Sequence, residues 1–233
     1  MDEAGGDGGD AARLGERVSL REQVRRAIRA ALVTGDMRPG VVYSAPALAA
    51  RFGVSATPVR EALLDLAKDG FVEPVRNKGF RVRSLSAADV DEIYHLRRLL
   101  EIPTVAELAR RGCPEALPEL RALADETAEA VRAGDALAYV EADHRFHAGL
   151  LGLTGNERLV RLVTELRAQV SLYGLRPVIS RGDVDSAAGE HHLLLDHIES
   201  KDADRAAELM ERHLARSRSM AFDEAGSPDP AER

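Results

Sequence analysis

The sequence predicts a mainly α-helical protein in two parts: a small N-terminal unit of helices closed by a β-hairpin, and a larger all-helical antiparallel bundle. Three observations carry this. Ala, Leu, Arg and Glu dominate, while aromatics make up only 4% of the 233 residues, which suits long helices. Strand-like segments are confined to a short stretch around Phe71–Val82, and helical spacing of apolar residues prevails after it. The charge is also split. Gly15–Ser84 holds 13 Lys and Arg against 7 Asp and Glu, whereas Leu85–Arg233 holds 18 against 28, within a net charge of −7. A basic first third on an acidic remainder points to a polyanion met by the first part alone.

The elements follow in order. "SLREQVRRAIRAALVTG" is a helix capped at Ser19, with Val24, Ile28, Ala31 and Leu32 on one face and Gly35 as its stop. After the "RPG" turn, "SAPALAARFG" is a short helix with Ser44 as cap and Pro46 in the first turn, where a missing N–H does no harm. Gly53 ends it. "VSATPVREALLDLAKDG" is the next helix, and "FVEPV" and "GFRV" are two strands around the basic tip "RNK". Helix, helix-turn-helix, hairpin is the winged helix-turn-helix order, whose second helix can lay its N-terminal residues against base edges in the major groove of double-stranded DNA.

Beyond the "RSLSAADVDE" linker, Ser86 with Asp89 three residues on marks a helix start. Helical patterns then run roughly over Ala87–Arg111, Glu115–Arg132, Asp135–Leu151, Glu157–Leu175, Ala187–Ser200 and Ala203–Met220, the makings of an antiparallel bundle. The expected organisation is a disordered tail over 1–14, a DNA-binding domain over 15–84, a helical domain over 87–222 and a disordered tail over 223–233. The acidic, Gly-rich start has no signal-peptide character. No apolar run approaches a bilayer span, and the single cysteine, Cys113, rules out an internal disulfide framework. A cytoplasmic protein with no membrane partner is expected.

One feature of the bundle resists the usual patterning. In "YVEADHRFHAGLL", Val140, Phe146, Leu150 and Leu151 mark the buried stripe, yet Asp143 and His147 share it, one turn apart. His191 lies on the stripe of Leu194, Leu195 and Ile198, and His213 shares a face with Ala206 and Met210. A buried carboxylate is costly unless paired. An Asp and three inward imidazoles from three helices form a possible ligand set for a divalent transition metal, zinc first, nickel or manganese next. Asp143 could equally pair with His147 or with an arginine, without metal. His95, His144, His192 and His197 fall off the stripes and are expected at the surface. Glu190 is a candidate to orient His191, and Asn156 reads as a helix cap.

"ALAARFGVSATPVREALLDLAKDGFVEPVRNKGFRV", Ala47 to Val82, resembles the N-terminal domain of the GntR family of bacterial transcription regulators, through "GVS-x-TPVREAL" and the "N-K-G-F-x-V" wing. The resemblance implies operator contacts by Ser55, Thr57 and Arg60, with Lys78 and Gly79 at the wing tip. Arg60 has the alternative of a surface ion pair with Glu61 or Asp65. Ala56 stands where many relatives have a basic residue, and Pro46 where fatty-acid-type members have arginine, so two potential contacts are absent. "DHRFH", "EH" and "MERHL" resemble the FCD domain of the FadR-like branch. There, an all-helical domain often holds a metal through one Asp and three His, here Asp143, His147, His191 and His213. "LRRLLE" matches that domain's first helix, and the resemblance implies that Arg97 lines its cavity; the alternative is a solvated helix arginine.

Together these imply a homodimeric DNA-binding regulator, a repressor by expectation. A small carboxylate bound at the metal, with Arg97 as counter-charge, would control operator binding. A metal-free small-molecule or acyl pocket on the same regulator is the alternative. A metal-dependent hydrolase using Glu141 or Glu190 to activate water is less favoured, since a fused DNA-binding unit has no evident use in it, and no enzyme activity is expected.

Overall fold

The computed structural model describes residues 18–170 and 183–225, which form nine helices and one three-stranded sheet. The N-terminal unit comprises α1 (Leu20–Val33), β1 (Val42–Tyr43), α2 (Ala45–Phe52), α3 (Ala56–Lys68), β2 (Val72–Val75) and β3 (Gly79–Val82). The predicted caps are in place: Ser19 Oγ accepts from Glu22 N–H at 3.2 Å and Ser44 Oγ from Ala47 N–H at 3.3 Å. Gly53 adopts φ 68, ψ 33 at the end of α2, a left-handed turn that an L side chain resists. It aims α3 across α2.

The hairpin pairs Val72 with Val82 and Val75 with Gly79, as the two apolar runs around "RNK" suggest. A third strand was not anticipated. Val42 and Tyr43 pair with Arg81 and Phe80, giving the antiparallel order β1-β3-β2. Two residues are too few to show an alternation, so sequence periodicity could not reveal β1. Val24, Ile28, Leu48, Val59, Leu63, Leu66, Phe71 and Phe80 form the core under this sheet.

The bundle comprises α4 (Ala87–Arg111), α5 (Leu117–Ala133), α6 (Ala136–Gly152), α7 (Glu157–Val170), α8 (Asp183–Glu199) and α9 (Ala203–Ala225). Ser86 and Asp89 make the expected capping box on α4. Asp135 caps α6, and Asn156 Oδ1 accepts from Leu159 N–H at 3.1 Å at the start of α7. Helix α4 packs along α9, and α5 lies against both α6 and α8. The main core gathers Val105, Leu108, Phe146, Leu150, Leu195, Ile198, Met210 and Leu214. A smaller one joins Val90, Ile93 and Tyr94 of α4 to Leu166 and Val170 of α7.

Two boundaries differ from expectation. Helix α9 continues to Ala225, three residues into the stretch expected as a tail, and α8 begins at Asp183 rather than Ala187. The expected disorder of 1–14 and of 226–233, and the proposed continuation of α7 to Leu175, lie outside the described residues.

The two units touch through α6 and α7. Ala168 of α7 belongs to the core of the N-terminal unit, the Gln169 side chain lies against Gly70, and Arg26 of α1 pairs with Glu141 of α6 at 3.1 Å.

Candidate metal centre and nucleic-acid interface

Helix α3 begins at Ser55, whose backbone is extended (φ −74, ψ 159) and whose side chain makes no cap hydrogen bond, unlike those of Ser19, Ser44 and Ser86. Its hydroxyl and the first backbone N–H groups of α3 are therefore not engaged with each other, the arrangement that favours anions at helix starts. Thr57 and Arg60 are exposed on the same end. Asp65, one candidate partner for Arg60, is held instead by Arg21 at 2.6 Å and Lys68 at 3.7 Å. Among the described residues no ion pair with Glu61 engages Arg60 either.

Lys78 is exposed at the wing tip beside Asn77, which takes φ 58. Gly79 answers to a different demand. At φ 134, a Cβ there would lie 2.3 Å from the Tyr43 carbonyl oxygen. The close approach of β1 to β3 already requires a glycine at 79, whatever the wing meets.

In the bundle, the stripe argument brings four side chains together. Asp143 and His147 come from α6, His191 from α8 and His213 from α9, and each offers a ligand atom, all within 4.8 Å of one another. The three imidazoles are buried. His191 stacks on Phe146 with centroids 4.1 Å apart, which fixes its ring plane. Asp143 Oδ1 lies 3.5 Å from His147 Nε2 and 3.4 Å from His191 Nε2. Both nitrogens of His147 and both of His191 are buried without a hydrogen bond. Unpaired buried nitrogens are rare and costly, and neutral imidazoles around one carboxylate suit a borderline cation. The donor set therefore fits a divalent metal.

A second ring of charge surrounds this centre. Glu101 of α4 is fully buried; it accepts from Arg97 Nε at 2.6 Å and from Arg167 Nη1 at 3.1 Å. Arg167 Nη2 donates to Asp143 Oδ2 at 2.6 Å. Arg97 is 2% exposed, so it is no solvated helix arginine; its guanidinium lies 4.9 Å from the Tyr94 ring centroid, and its Nη2 has no partner. His213 Nδ1 meets Glu190 Oε2 at 3.0 Å, and Arg216 holds the same carboxylate. A proton on Nδ1 leaves the Nε2 lone pair of His213 free.

The electrostatics follow from this layout. Burial opposes ionisation of Asp143, but the Arg167 guanidinium outweighs it and holds the carboxyl well below the usual range. Glu101 is likewise held down by Arg97 and Arg167 against burial. Burial lowers His191 and His213 to about 4 each and His147 well below its ordinary value. At neutral pH all three present uncharged nitrogens, the form that ligates metals.

Two expectations need correction. His144 is half-buried, with its pKa lowered by burial. It lies three residues beyond Glu141, which pairs with Arg26 of α1, so both share a flank of α6. Glu190 orients His213 rather than His191. For Asp143, the arginine left open in the sequence as an alternative partner is present: it is Arg167. Arg167 and Glu101 were not singled out from the sequence. The available signal was Val163, Arg167 and Val170 at i, i+4, i+7, which sets the arginine on an apolar stripe.

A winged helix-turn-helix with an exposed, polar N-terminal end on its second helix, joined to a helical bundle with a buried polar centre, defines a DNA-binding regulator. Comparison with known proteins agrees. Residues 20–82 match the model of bacterial regulatory proteins of the gntR family, and residues 92–216 match the FCD domain. The chain belongs to the GntR family of transcriptional regulators and carries an FCD domain. It is 28% identical to the HTH-type transcriptional regulator McbR of Escherichia coli over 206 residues, covering 86% of this chain and 93% of McbR. It is 27% identical to the HTH-type regulator YdhC of Bacillus subtilis over 184 residues, 78% of this chain and 82% of YdhC. The solved structure of E. coli McbR/YncC superposes with a TM-score of 0.70 at 24% identity, over 89% of this chain and 99% of that one. A GntR regulator from Rhodococcus gives 0.65 at 24%, over 87% and 97%. Both share the fold. No described helix is long and apolar enough to cross a membrane.

Proposed function

We propose that this regulator binds its operator as a homodimeric repressor and that a small carboxylate, bound at a divalent metal held by Asp143, His147, His191 and His213, controls that binding. The observation that carries the reading is the set of four ligand atoms within 4.8 Å whose buried imidazole nitrogens on His147 and His191 lack hydrogen bonds. A metal there, zinc first and nickel or manganese next, would offer open coordination positions to a carboxylate. The carboxylates of Asp143, Glu101 and Glu190 face the guanidiniums of Arg97, Arg167 and Arg216, so the centre is balanced before any cation enters. Two added positive charges favour an anionic ligand, and Arg97 Nη2 and Arg167 Nε, both buried without a hydrogen bond, support the reading as donors still available to it. On DNA, Ser55, Thr57, Arg60 and Lys78 are the proposed contacts, with Gly79 shaping the wing that carries Lys78. A relative from Paenarthrobacter nicotinovorans is named a probable transcriptional repressor of D-xylose utilization, which supports the sign.

The Asp143–Arg167 pair favours one other reading, a metal-free pocket on the same regulator, because it gives the carboxylate a partner without a cation. The hydrolase reading loses its candidate bases: Glu141 faces Arg26, and Glu190 is held by His213 and Arg216. Elemental analysis of protein purified without chelator tests the proposal. Close to one transition metal per chain is expected, lost in His213→Ala and kept in His192→Ala, whose ring pairs with Asp125 instead. A metal-free wild type would favour the second reading.

A further inference from the structure

Resting on that reading of the polar centre, we propose that the last turn of α7 couples it to the DNA-binding unit, with Arg167 as the residue that registers the state of the centre and Ala168 as the residue that passes it on. Arg167 is divided between two carboxylates, Asp143 Oδ2 at 2.6 Å and Glu101 Oε2 at 3.1 Å, and its Nε is buried without a partner. Any change in what Asp143 binds, or any anion drawn to the free Nε, alters the hold on this guanidinium.

The next residue leaves the bundle altogether. Ala168 is buried in the core of the N-terminal unit with Leu63, Leu66 and Phe71. Gln169 lies against Gly70, in the turn that joins α3 to β2. Leu166 and Val170 pack on Val90, Ile93 and Tyr94 of α4. Five consecutive residues thus touch the polar centre, the DNA-binding core and the first bundle helix. Close-packed interiors respond to such a shift by repacking as units rather than by yielding locally.

A second tie runs in parallel. Glu141 stands two residues before Asp143 on α6 and reaches Arg26 on α1 at 3.1 Å. The two helices that bring Asp143, His147 and Arg167 to the centre both also touch the DNA-binding unit. The turn after α3 is within reach of the first tie, so a shift there reorients the helix proposed to enter the groove.

The test uses the full chain and a duplex selected by the protein itself from a random-sequence pool. Operator affinity is measured by fluorescence anisotropy without metal and with zinc chloride. In the wild type the two affinities should differ by at least about five-fold, the lower end of ordinary allosteric coupling. Arg167→Lys keeps the charge but reaches only one carboxylate, and it should bring the ratio close to one while zinc still binds. Arg26→Gln, at a 62% exposed side chain that cannot endanger the fold, should reduce the ratio in part. If both variants keep the wild-type ratio, the coupling does not run through these ties. Hydrogen exchange of the peptide 163–170 is measured in chelated protein as well. Slower exchange on adding the duplex supports the link with no metal present, and unchanged exchange overturns it. A wild type whose operator affinity ignores zinc would count against the metal reading alone, since the exchange measurement still decides the coupling.

Discussion

The two cores of this molecule are built on opposite terms. In the N-terminal unit every fully buried side chain is apolar, from Val24 to Val82. In the bundle Arg97, Glu101, Thr127, His147, Arg167, His191 and His213 are all buried among the apolar residues. The first core is stabilised by area removed from water. The second gives up part of that gain to keep charges and imidazoles dry, and retains it only while each has its partner. The contrast fits the proposed division between a part that holds one shape on DNA and a part that answers to a ligand.

Breaking one buried partner should have the largest effect. Glu101→Ala leaves Arg97 and Arg167 without their shared carboxylate and should cost about 3–5 kcal/mol, read by urea denaturation followed by helical circular dichroism. A loss below about 1 kcal/mol would mean that water already reaches the pair. The matching change in the apolar core, Leu63→Ala, should cost about 2–5 kcal/mol through the cavity it leaves. It should leave zinc stoichiometry intact, and loss of zinc in that variant would deny the independence of the two cores.

Arg60→Ala should leave thermal stability alone, because the side chain is exposed and makes no ion pair among the described residues, yet weaken operator binding by about 1–3 kcal/mol if it reads a base. Anisotropy at two salt concentrations separates base reading from phosphate contact.

The smallest effect at neutral pH comes from protonation. The folded pKa of His191 and His213 is depressed to about 4, so below about 6.5, the ordinary histidine value, the unfolded chain binds more protons than the folded one. Stability of metal-free protein should therefore fall as pH drops from about 6.5 towards 4. The melting temperature of chelated protein across that window checks the sign, and a rise on acidification would contradict the neutral, buried imidazoles.

Much of this is legible in the sequence alone. Ser19, Ser44 and Ser86 announce helix starts because a short hydroxyl side chain can reach a backbone N–H that lacks a partner. Asp143 and His147 announce the polar centre because the i, i+4 spacing sets them on a stripe otherwise made of Phe146, Leu150 and Leu151. What escaped depends on the other helices. Glu101 and Arg167 look like ordinary helix charges until α4 and α7 are folded against each other. His144 looks solvated until the fold half-buries it. Periodicity assigns a face, but only packing decides which faces end up dry.

The missing cap on α3 carries a further consequence. Replacing a neighbour of Ser55, or Ser55 itself, with a residue that closes the first turn would be a routine way to raise the melting temperature of the free protein. An aspartate there would do so with a negative charge set where the proposed path of the DNA backbone runs. An engineer who ranks positions by thermal shift alone would thus favour a change that silences the regulator. For this helix, screening for robustness and screening for activity point in opposite directions.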